Sequence, residues 1–136
     1  MVQVVAAIAN DGRMMKPYLV STVTNRDLTV LSSTSPQEQS RPVSESTAEL
    51  LRQMMVATVE DGTGTPAQIS GVTIGGKTGT AQTAPDRPPY AWFVGYAEDP
   101  KVAIVAFVED ADVARDDISG GKLAAPIFRK VLEALR

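Results

Sequence analysis

The sequence predicts an α/β (α+β) fold in which an antiparallel β-sheet is flanked by helices. Residues 91–97 and 102–108 are two strand-length, largely apolar stretches, and the four residues between them suit an antiparallel pair. Residues 77–82 continue a β-branched stretch in extended form and predict another strand. Two segments, one starting near Ser46 and one at Gly120, carry apolar residues at helical spacing. Those helices are expected to pack on the sheet.

Composition excludes several classes of function. The chain has 136 residues and 43% hydrophobic content, enough for one small domain with a core. Its 13 basic and 16 acidic residues are interspersed, so no basic face for nucleic acid or an anionic membrane is predicted. The chain contains no cysteine and no histidine, which rules out a Ser-His-Asp triad, Cys-His chemistry and the usual zinc sites. No apolar run reaches transmembrane length, and we expect a soluble chain without cofactors.

The first predicted element is an apolar helix over residues 1–10, which Asn10-Asp11-Gly12 should stop. A helix that is apolar nearly all round is normally buried. Nothing before Met1 caps this one. We therefore expect the sequence to begin inside a larger domain.

A hairpin and a loop should follow. Residues 18–24 and 28–33 alternate as strands around the turn at 25–27. Residues 32–44 are rich in Ser, Thr, Pro and Gln without periodicity, which favours an exposed loop.

The next helix is predicted to start at a capping box of Ser46 and Glu49 and to stop at Gly62. Its apolar stripe is typical of a core-facing helix, and its two methionines are interpreted as packing residues. The stripe comprises Leu50, Leu51, Met54, Met55, Thr58 and Val59.

Residues 75–82, Gly-Gly-Lys-Thr-Gly-Thr-Ala-Gln, are the candidate binding edge. The ammonium of Lys77 beside the hydroxyls of Thr78 and Thr80 suits an anion such as a carboxylate, and the glycines would let a ligand lie against the backbone. Strict alternation places Lys77 on the opposite face from the two threonines, so twist and the lysine stem must bring them together. The plainer alternative is a surface strand with a solvated lysine.

A rival pattern covers the same residues. Residues 71–78 fit the phosphate-loop expression G-x-x-x-x-G-K-[ST], and residues 102–110 imitate the apolar run ending in an acid that holds magnesium in such proteins. The mechanism needs a buried strand before the loop and a helix starting at Lys77. Residues 61–66 are no hydrophobic strand, and Gly79 and Pro85 oppose a helix. A nucleotide-binding protein therefore stays as the alternative.

The remaining elements complete the sheet and its cover. Residues 83–89 form a stiff, proline-rich connection that could overhang the neighbouring site. Residues 102–108 are unbroken apolar, as in a strand covered on both faces. The acidic residues between 109 and 117 are interpreted as a solvated face, and no metal site is assigned.

Gly120 opens the last helix, which tolerates Pro126 only near its first turn. Its stripe comprises Leu123, Ile127, Phe128, Val131, Leu132 and Leu135.

Four stretches in sequence order carry a resemblance to a known family. They are Lys77-Thr78-Gly79-Thr80 in a strand, Ala-Trp-Phe-Val-Gly-Tyr at 91–96, Ser-Gly-Gly at 119–121, and the opening Ala-Ile-Ala-Asn-Asp-Gly followed by Lys-Pro-Tyr-Leu-Val at 16–20. Together they resemble the C-terminal part of a penicillin-binding protein transpeptidase domain, class B-like, of the serine β-lactamase and penicillin-binding superfamily.

The family's active site combines S-x-x-K, which holds the nucleophilic serine, with S-x-N and K-[ST]-G. Only the third motif stands in its proper place here, at Lys77. Ser119-Gly120-Gly121-Lys122 spells S-x-x-K but follows Lys77 in the chain, so it is interpreted as a helix start. The resemblance thus implies that residues 1–136 are the C-terminal part of one transpeptidase domain, without the N-terminal portion that bears the nucleophile. Alone, such a fragment is expected to be inactive. A non-catalytic domain of the same fold is a further alternative.

For the complete domain, the resemblance implies an acyltransferase of peptidoglycan and cell-wall synthesis that supports cell shape and binds β-lactams. The substrate would be the D-Ala-D-Ala stem peptide. Lys77 and Thr80 would take catalytic roles, while Thr78, Gly79, Thr80 and Gln82 would bind substrate. We expect it at the extracytoplasmic face of the bacterial membrane, anchored outside this chain. The missing N-terminal part would complete the sheet beside residues 102–108, and without it that edge invites self-association.

Overall fold

The computed structural model describes residues 1–84 and 86–136. Its helices are α1 (Val2–Ala9), α2 (Glu45–Glu60) and α3 (Ala125–Ala134), and its strands are β1 (Met14–Met15), β2 (Thr22–Thr24), β3 (Val30–Ser33), β4 (Glu38–Ser40), β5 (Ile74–Ala81), β6 (Tyr90–Glu98) and β7 (Lys101–Val108). Short 3₁₀ turns span Thr65–Ala67 and Arg115–Asp117, and a π-helical turn, Gly120–Ala124, leads into α3.

The central sheet is antiparallel, in the order β5-β6-β7. Lys77 lies opposite Val94 in the β5–β6 register, and Glu98 lies opposite Lys101 at the turn between β6 and β7. The predicted strand through Lys77, its antiparallel partner and the tight connection after Glu98 are therefore confirmed.

Helices cover both faces of this sheet. Phe93 and Tyr96 are three residues apart in β6, so their side chains point to opposite faces. Phe93 packs edge-on against Phe128 of α3 with ring centroids 4.9 Å apart. Tyr96 packs with Val5 of α1 and Met55 of α2. The predicted fold class, an antiparallel sheet flanked by helices, is confirmed.

Helix α1 ends as predicted. Gly12 N–H donates to the Ala7 carbonyl at 2.8 Å, and Gly12 has φ +82°, a conformation that favours glycine. A Cβ there would also lie 2.3 Å from the Val43 carbonyl oxygen. However, only one side of α1 is buried: Val5 is 2% exposed, whereas Val4 is 46% exposed. The expectation that the whole apolar helix is buried is not met in this chain.

The segment between α1 and α2 differs partly from its prediction. The β2–β3 hairpin is confirmed, although its strands are shorter than expected. Residues 32–44 are exposed but not entirely loop, because Glu38–Ser40 pairs with Met14–Met15. Lys16 N–H also donates to the Gln37 carbonyl at 2.8 Å. A strand held only by backbone hydrogen bonds leaves no apolar periodicity by which sequence could reveal it.

Helix α2 starts earlier than predicted. The N-cap is Ser44, whose Oγ accepts a hydrogen bond from Thr47 N–H at 3.1 Å, so the Ser46–Glu49 capping box is wrong by two residues. The sequence could not locate the cap more closely, because Ser44, Ser46 and Thr47 all carry hydroxyls that can cap a helix. Met55 is buried as expected, but Met54 is 63% exposed. Leu50 is exposed too, since the apolar stripe is wider than the surface that α2 contacts.

Strand β7 and helix α3 are less covered than their sequences predict. In β7 only Ala106 is buried, and Phe107 is exposed. Both faces of β7 are contacted as predicted, by α1 on the side of Ala103 and by α3 on the side of Ala106. Within the described parts of the chain, however, no strand lies beyond its outer edge. In α3, Phe128 is buried but Ile127 is exposed, and Pro126 sits in the first turn as predicted.

Candidate active site

The candidate binding edge lies on β5, whose two halves have different environments. Residues 74–76 are buried, and α2 packs along this strand. Residues 77–81 are exposed or half-buried. The cation and hydroxyls that the sequence singled out therefore stand on the open half of an edge strand, where a ligand can reach them.

The two glycines that precede Lys77 serve packing. A Cβ on Gly75 would lie 2.3 Å from the ring of Tyr96, and one on Gly76 would lie 2.3 Å from the ring of Phe93. Both rings are buried in the core. The interpretation that these glycines let a ligand lie against the backbone is wrong, since aromatic side chains already occupy that space.

Lys77 and Thr78 meet at the strand edge. Lys77 pairs with Val94 and Thr78 with Phe93, so their side chains leave opposite faces of the sheet, as alternation requires. The lysine stem nevertheless turns back, and Nζ donates a hydrogen bond to the Thr78 carbonyl at 2.6 Å. The stem thus brings the ammonium to the backbone of Thr78. That it also approaches the hydroxyls of Thr78 and Thr80 stays a prediction.

The hydroxyl of Thr78 has a partner that sequence reasoning missed. The Oγ1 atoms of Thr78 and Thr63 are 2.6 Å apart, a hydrogen bond in which either hydroxyl can donate. Thr63 lies in the turn between α2 and the 3₁₀ turn Thr65–Ala67. The only signal in the sequence is a threonine between two glycines, Gly62-Thr63-Gly64, which indicates a turn but no contact with β5.

The far end of β5 approaches the loop after β7. Thr80 is exposed and lies opposite Ala91. Gly79 leaves ordinary space, since a Cβ there would lie 3.4 Å from Trp92 Cβ. Gln82 follows the strand, and its Oε1 accepts a hydrogen bond from Arg115 Nη2 at 3.3 Å. Arg115 thus lies beside the site. The sequence did not reveal this contact, because the acidic residues around Arg115 indicated a solvated face.

The connection after β5 is held by Thr83. Its Oγ1 lies 2.7 Å from the carbonyl oxygen of Arg87 and 2.9 Å from that of Pro88, so its single proton is shared between these two acceptors. Arg115 also donates to the Arg87 carbonyl. The proposed stiffness of residues 83–89 rested partly on Pro85, which lies outside the described residues.

Ser119 and Lys122 are engaged in helix structure. Ser119 Oγ accepts a hydrogen bond from Lys122 N–H at 3.2 Å, and Lys122 Nζ lies 2.7 Å from Asp117 Oδ1. Gly120 presses on the sheet, because a Cβ there would lie 2.1 Å from the Trp92 carbonyl oxygen. The interpretation of this segment as a helix start is confirmed.

The phosphate-loop alternative is wrong. β5 runs without interruption from Ile74 to Ala81, so Lys77 lies within a strand instead of opening a helix. No helix N-terminus is therefore presented to a phosphate at this lysine. As for metals, residues 1–84 and 86–136 include no group of three or more His, Cys, Asp or Glu side chains that could hold an ion.

A separate cavity of about 740 Å³ opens where α1, α2 and the β6–β7 turn meet. At this cavity, Arg52 Nη1 donates a hydrogen bond to Asp11 Oδ1 at 2.8 Å, and the Arg52 guanidinium also forms an ion pair with Glu49. Burial, with a smaller contribution from Glu98, raises the pKa of Tyr96 to about 12. The Tyr96 hydroxyl has no hydrogen-bond partner among the described residues. Because none of residues 77–82 lines this cavity, it is distinct from the candidate site.

Sequence comparison assigns the chain to a family. Residues 1–133 match the model of the penicillin binding protein transpeptidase domain. The chain is 44% identical to peptidoglycan D,D-transpeptidase PbpA of Mycolicibacterium smegmatis and 41% identical to its namesake of Mycobacterium tuberculosis, over 97% of this chain in each case. It spans 28% of the length of each of these relatives.

Solved structures agree with this assignment. The crystal structure of PBPA from M. tuberculosis matches 99% of this chain with a TM-score of 0.86 at 39% identity, and the match covers 33% of that chain. The penicillin G acyl-enzyme complex of penicillin-binding protein A from the same organism matches with a TM-score of 0.84 at 40% identity, again over 99% of this chain and 31% of that one. The protein therefore belongs to the penicillin-binding protein transpeptidase domain family.

Proposed function

We propose that this chain is the C-terminal part of a peptidoglycan D,D-transpeptidase domain and supplies one wall of its active site. The observation that carries this proposal is the open half of β5, where Lys77, Thr78 and Thr80 stand beyond the part of the strand that is buried. A cation and two hydroxyls on an open strand edge suit a peptide that ends in a carboxylate.

The proposed chemistry is acyl transfer from a D-Ala-D-Ala stem peptide. A serine outside this chain attacks the penultimate D-alanine carbonyl, D-alanine leaves, and a second stem amine resolves the acyl-enzyme. Lys77 supplies positive charge to both the nucleophile's surroundings and the terminal carboxylate, and the hydroxyls of Thr78 and Thr80 also bind that carboxylate. Thr80 N–H serves as an oxyanion donor, and loss of one such donor costs about 3 to 4 kcal/mol. Gly79 and Gln82 line the bound peptide.

β-Lactams enter the same site in this proposal. Relatives have been solved as imipenem, ceftriaxone and penicillin G acyl-enzyme complexes. The acylated serine would belong to the N-terminal part of the domain, because Ser119 already serves as a helix cap. The present chain is therefore expected to bind no β-lactam covalently by itself.

The proposed location is the extracytoplasmic face of the bacterial membrane. Among the described residues, no helix has the length and apolar character needed to cross a bilayer. In this proposal, a segment outside this chain provides the anchor. Without the remainder of the domain, we propose that β7 pairs with a second copy of the chain through its free edge.

Replacing Lys77 in the complete protein tests the proposed function. A lysine that binds a carboxylate in a partly dry cleft contributes a charge-assisted hydrogen bond worth about 1.5 to 3 kcal/mol. Lys77→Ala should therefore slow β-lactam acylation about tenfold to a hundredfold. The second-order acylation rate measures this effect, and the melting temperature should change little.

Lys101→Ala is the matched control. Lys101 is an exposed lysine on the same sheet, at the β6–β7 turn. Its replacement should leave both the acylation rate and the stability unchanged, within about 0.5 kcal/mol. Equal acylation rates for the parent and both variants would show that β5 is not the binding edge.

A further inference from the structure

The hydroxyl pair of Thr63 and Thr78 lies directly behind the proposed carboxylate site. Their Oγ1 atoms are 2.6 Å apart, although 15 positions separate the two residues. Thr78 stands on β5, whereas Thr63 belongs to the turn that follows α2. A long-range hydroxyl pair at the site suggests that one hydroxyl controls the other.

The backbone holds Thr63 firmly in place. Gly64 N–H donates to the Thr58 carbonyl at 2.9 Å, and a Cβ on Gly62 would lie 2.7 Å from that same oxygen. On the other side, the Thr63 carbonyl oxygen would lie 2.5 Å from a Cβ on Gly121. The backbone of this turn is thus packed between the end of α2 and the start of the last helical segment, which places the Thr63 hydroxyl beside Thr78.

The chemistry of the ligand determines the direction of this hydrogen bond. A hydroxyl has one proton to donate and lone pairs to accept, while a carboxylate only accepts. If Thr78 donates to a carboxylate, its single proton is used, and Thr78 must accept from Thr63. The Thr63 hydroxyl then fixes the Thr78 rotor with its proton towards the ligand.

We propose that Thr63 is a positioning residue that orients the Thr78 hydroxyl towards the substrate carboxylate. This inference rests on the proposed function, in which Thr78 contacts that carboxylate. Thr63 touches no substrate itself. It acts because an accepted hydrogen bond restricts the Thr78 hydroxyl to the orientation that donates outwards, and because polarisation along a hydrogen-bonded chain strengthens the donated bond.

The test compares Thr63→Val, Thr63→Ser and Thr78→Val in the complete protein. The probes are benzylpenicillin and its methyl ester, which cannot present an anionic carboxylate. Thr63→Val, which keeps the side-chain shape, should slow acylation by benzylpenicillin about threefold to tenfold and leave the ester's rate unchanged. Thr63→Ser restores the hydroxyl and should recover the parent rate.

Each outcome decides the inference. If Thr63→Val acylates with benzylpenicillin at the parent rate while Thr78→Val is slow, the positioning role is wrong and the proposed function stands. If Thr63→Val slows both probes equally, the residue supports the strand generally and the inference also fails. If Thr78→Val leaves the acylation rates of both probes unchanged, Thr78 does not bind the carboxylate. The positioning role of Thr63 is then wrong as well.

Discussion

The two outer strands of the central sheet, β5 and β7, present opposite kinds of edge. The open half of β5 carries Lys77, Thr78 and Thr80, of which Lys77 and Thr80 are exposed and Thr78 is half-buried. β7 consists of Val, Ala, Ile and Phe after Lys101, and Phe107 is 43% exposed. Among the residues that the structure describes, both strands pair with β6 alone, so the contrast comes from their side chains and not from their place in the sheet.

That contrast supports the proposal that the β5 edge binds a ligand and the β7 edge pairs with polypeptide. Exposed edges are normally protected by charges, prolines or covering elements. β5 has such protection, because α2 packs along it and its free half is polar. β7 carries its only charged residue at its first position, Lys101, and Glu109 follows its end. An apolar edge of this kind is suited to another strand, whereas the polar edge of β5 is suited to a small anionic peptide.

The largest expected effect separates the two halves of β5. Gly76→Ala places a Cβ 2.3 Å from the tip of the Phe93 ring, which is fully buried and has no room to move. Overpacking of this kind costs about 1 to 3 kcal/mol. Urea unfolding followed by circular dichroism should show a lower midpoint with an unchanged slope.

Gly79→Ala is the matched variant on the open half of the same strand. Its Cβ would meet Trp92 Cβ at 3.4 Å, an ordinary contact, so stability should stay within about 0.5 kcal/mol of the parent. A tolerated Gly76→Ala, or an equal loss in both variants, would show that β5 is not divided into a packed and a free half.

Sequence reasoning located this polar edge but not its supports. The strand through Lys77 followed from β-branched residues before it and from the alternation after it, both of which are local signals. Thr63 and Arg115 were missed because they lie 15 and 33 positions from the residues they contact, Thr78 in β5 and Gln82 just after it. No local pattern marks a residue whose importance depends on a contact that only the folded chain creates.

The glycines of β5 show a second limit. A glycine pair before a lysine was interpreted as access for a ligand, yet Gly75 and Gly76 make room for Tyr96 and Phe93. The amino-acid composition of the segment is the same whether the glycines admit a ligand or make room for aromatic rings. Only the register, which sets Gly75 opposite Tyr96, distinguishes backbone exposed to a ligand from backbone covered by a ring.

The next effect sharpens the contrast at β7. Antiparallel pairing of two copies about a two-fold axis at Val105 would set Lys101 of each chain opposite Glu109 of the other. Glu109→Lys in the present chain replaces both attractions by repulsions and should weaken dimerisation about tenfold, since exposed charge pairs contribute about 0.2 to 1 kcal/mol each. Sedimentation velocity over a range of concentrations measures the dissociation constant.

The charge-swapped double variant, Lys101→Glu with Glu109→Lys, should restore dimerisation because the opposite charges face each other again. Both side chains are exposed, so the fold should tolerate the exchange, although Lys101→Glu sets a second carboxylate opposite Glu98 and should lower stability slightly. A parent chain that sediments as a monomer at every concentration would contradict pairing through β7. Failure of the double variant to recover would contradict the proposed register.

The smallest expected effect concerns the segment that presses on the sheet below the β5 edge, where Ser119 begins the last helical stretch. Ser119 Oγ accepts a hydrogen bond from Lys122 N–H at 3.2 Å, and loss of such a cap costs about 1 kcal/mol. Ser119→Ala should lower stability by that amount, while Ser119→Asp, which retains an acceptor, should not. A fluorescent penicillin should label neither the present chain nor its Ser119→Ala variant. Stable labelling that disappears with Ser119→Ala would make Ser119 a nucleophile and overturn its role as a cap.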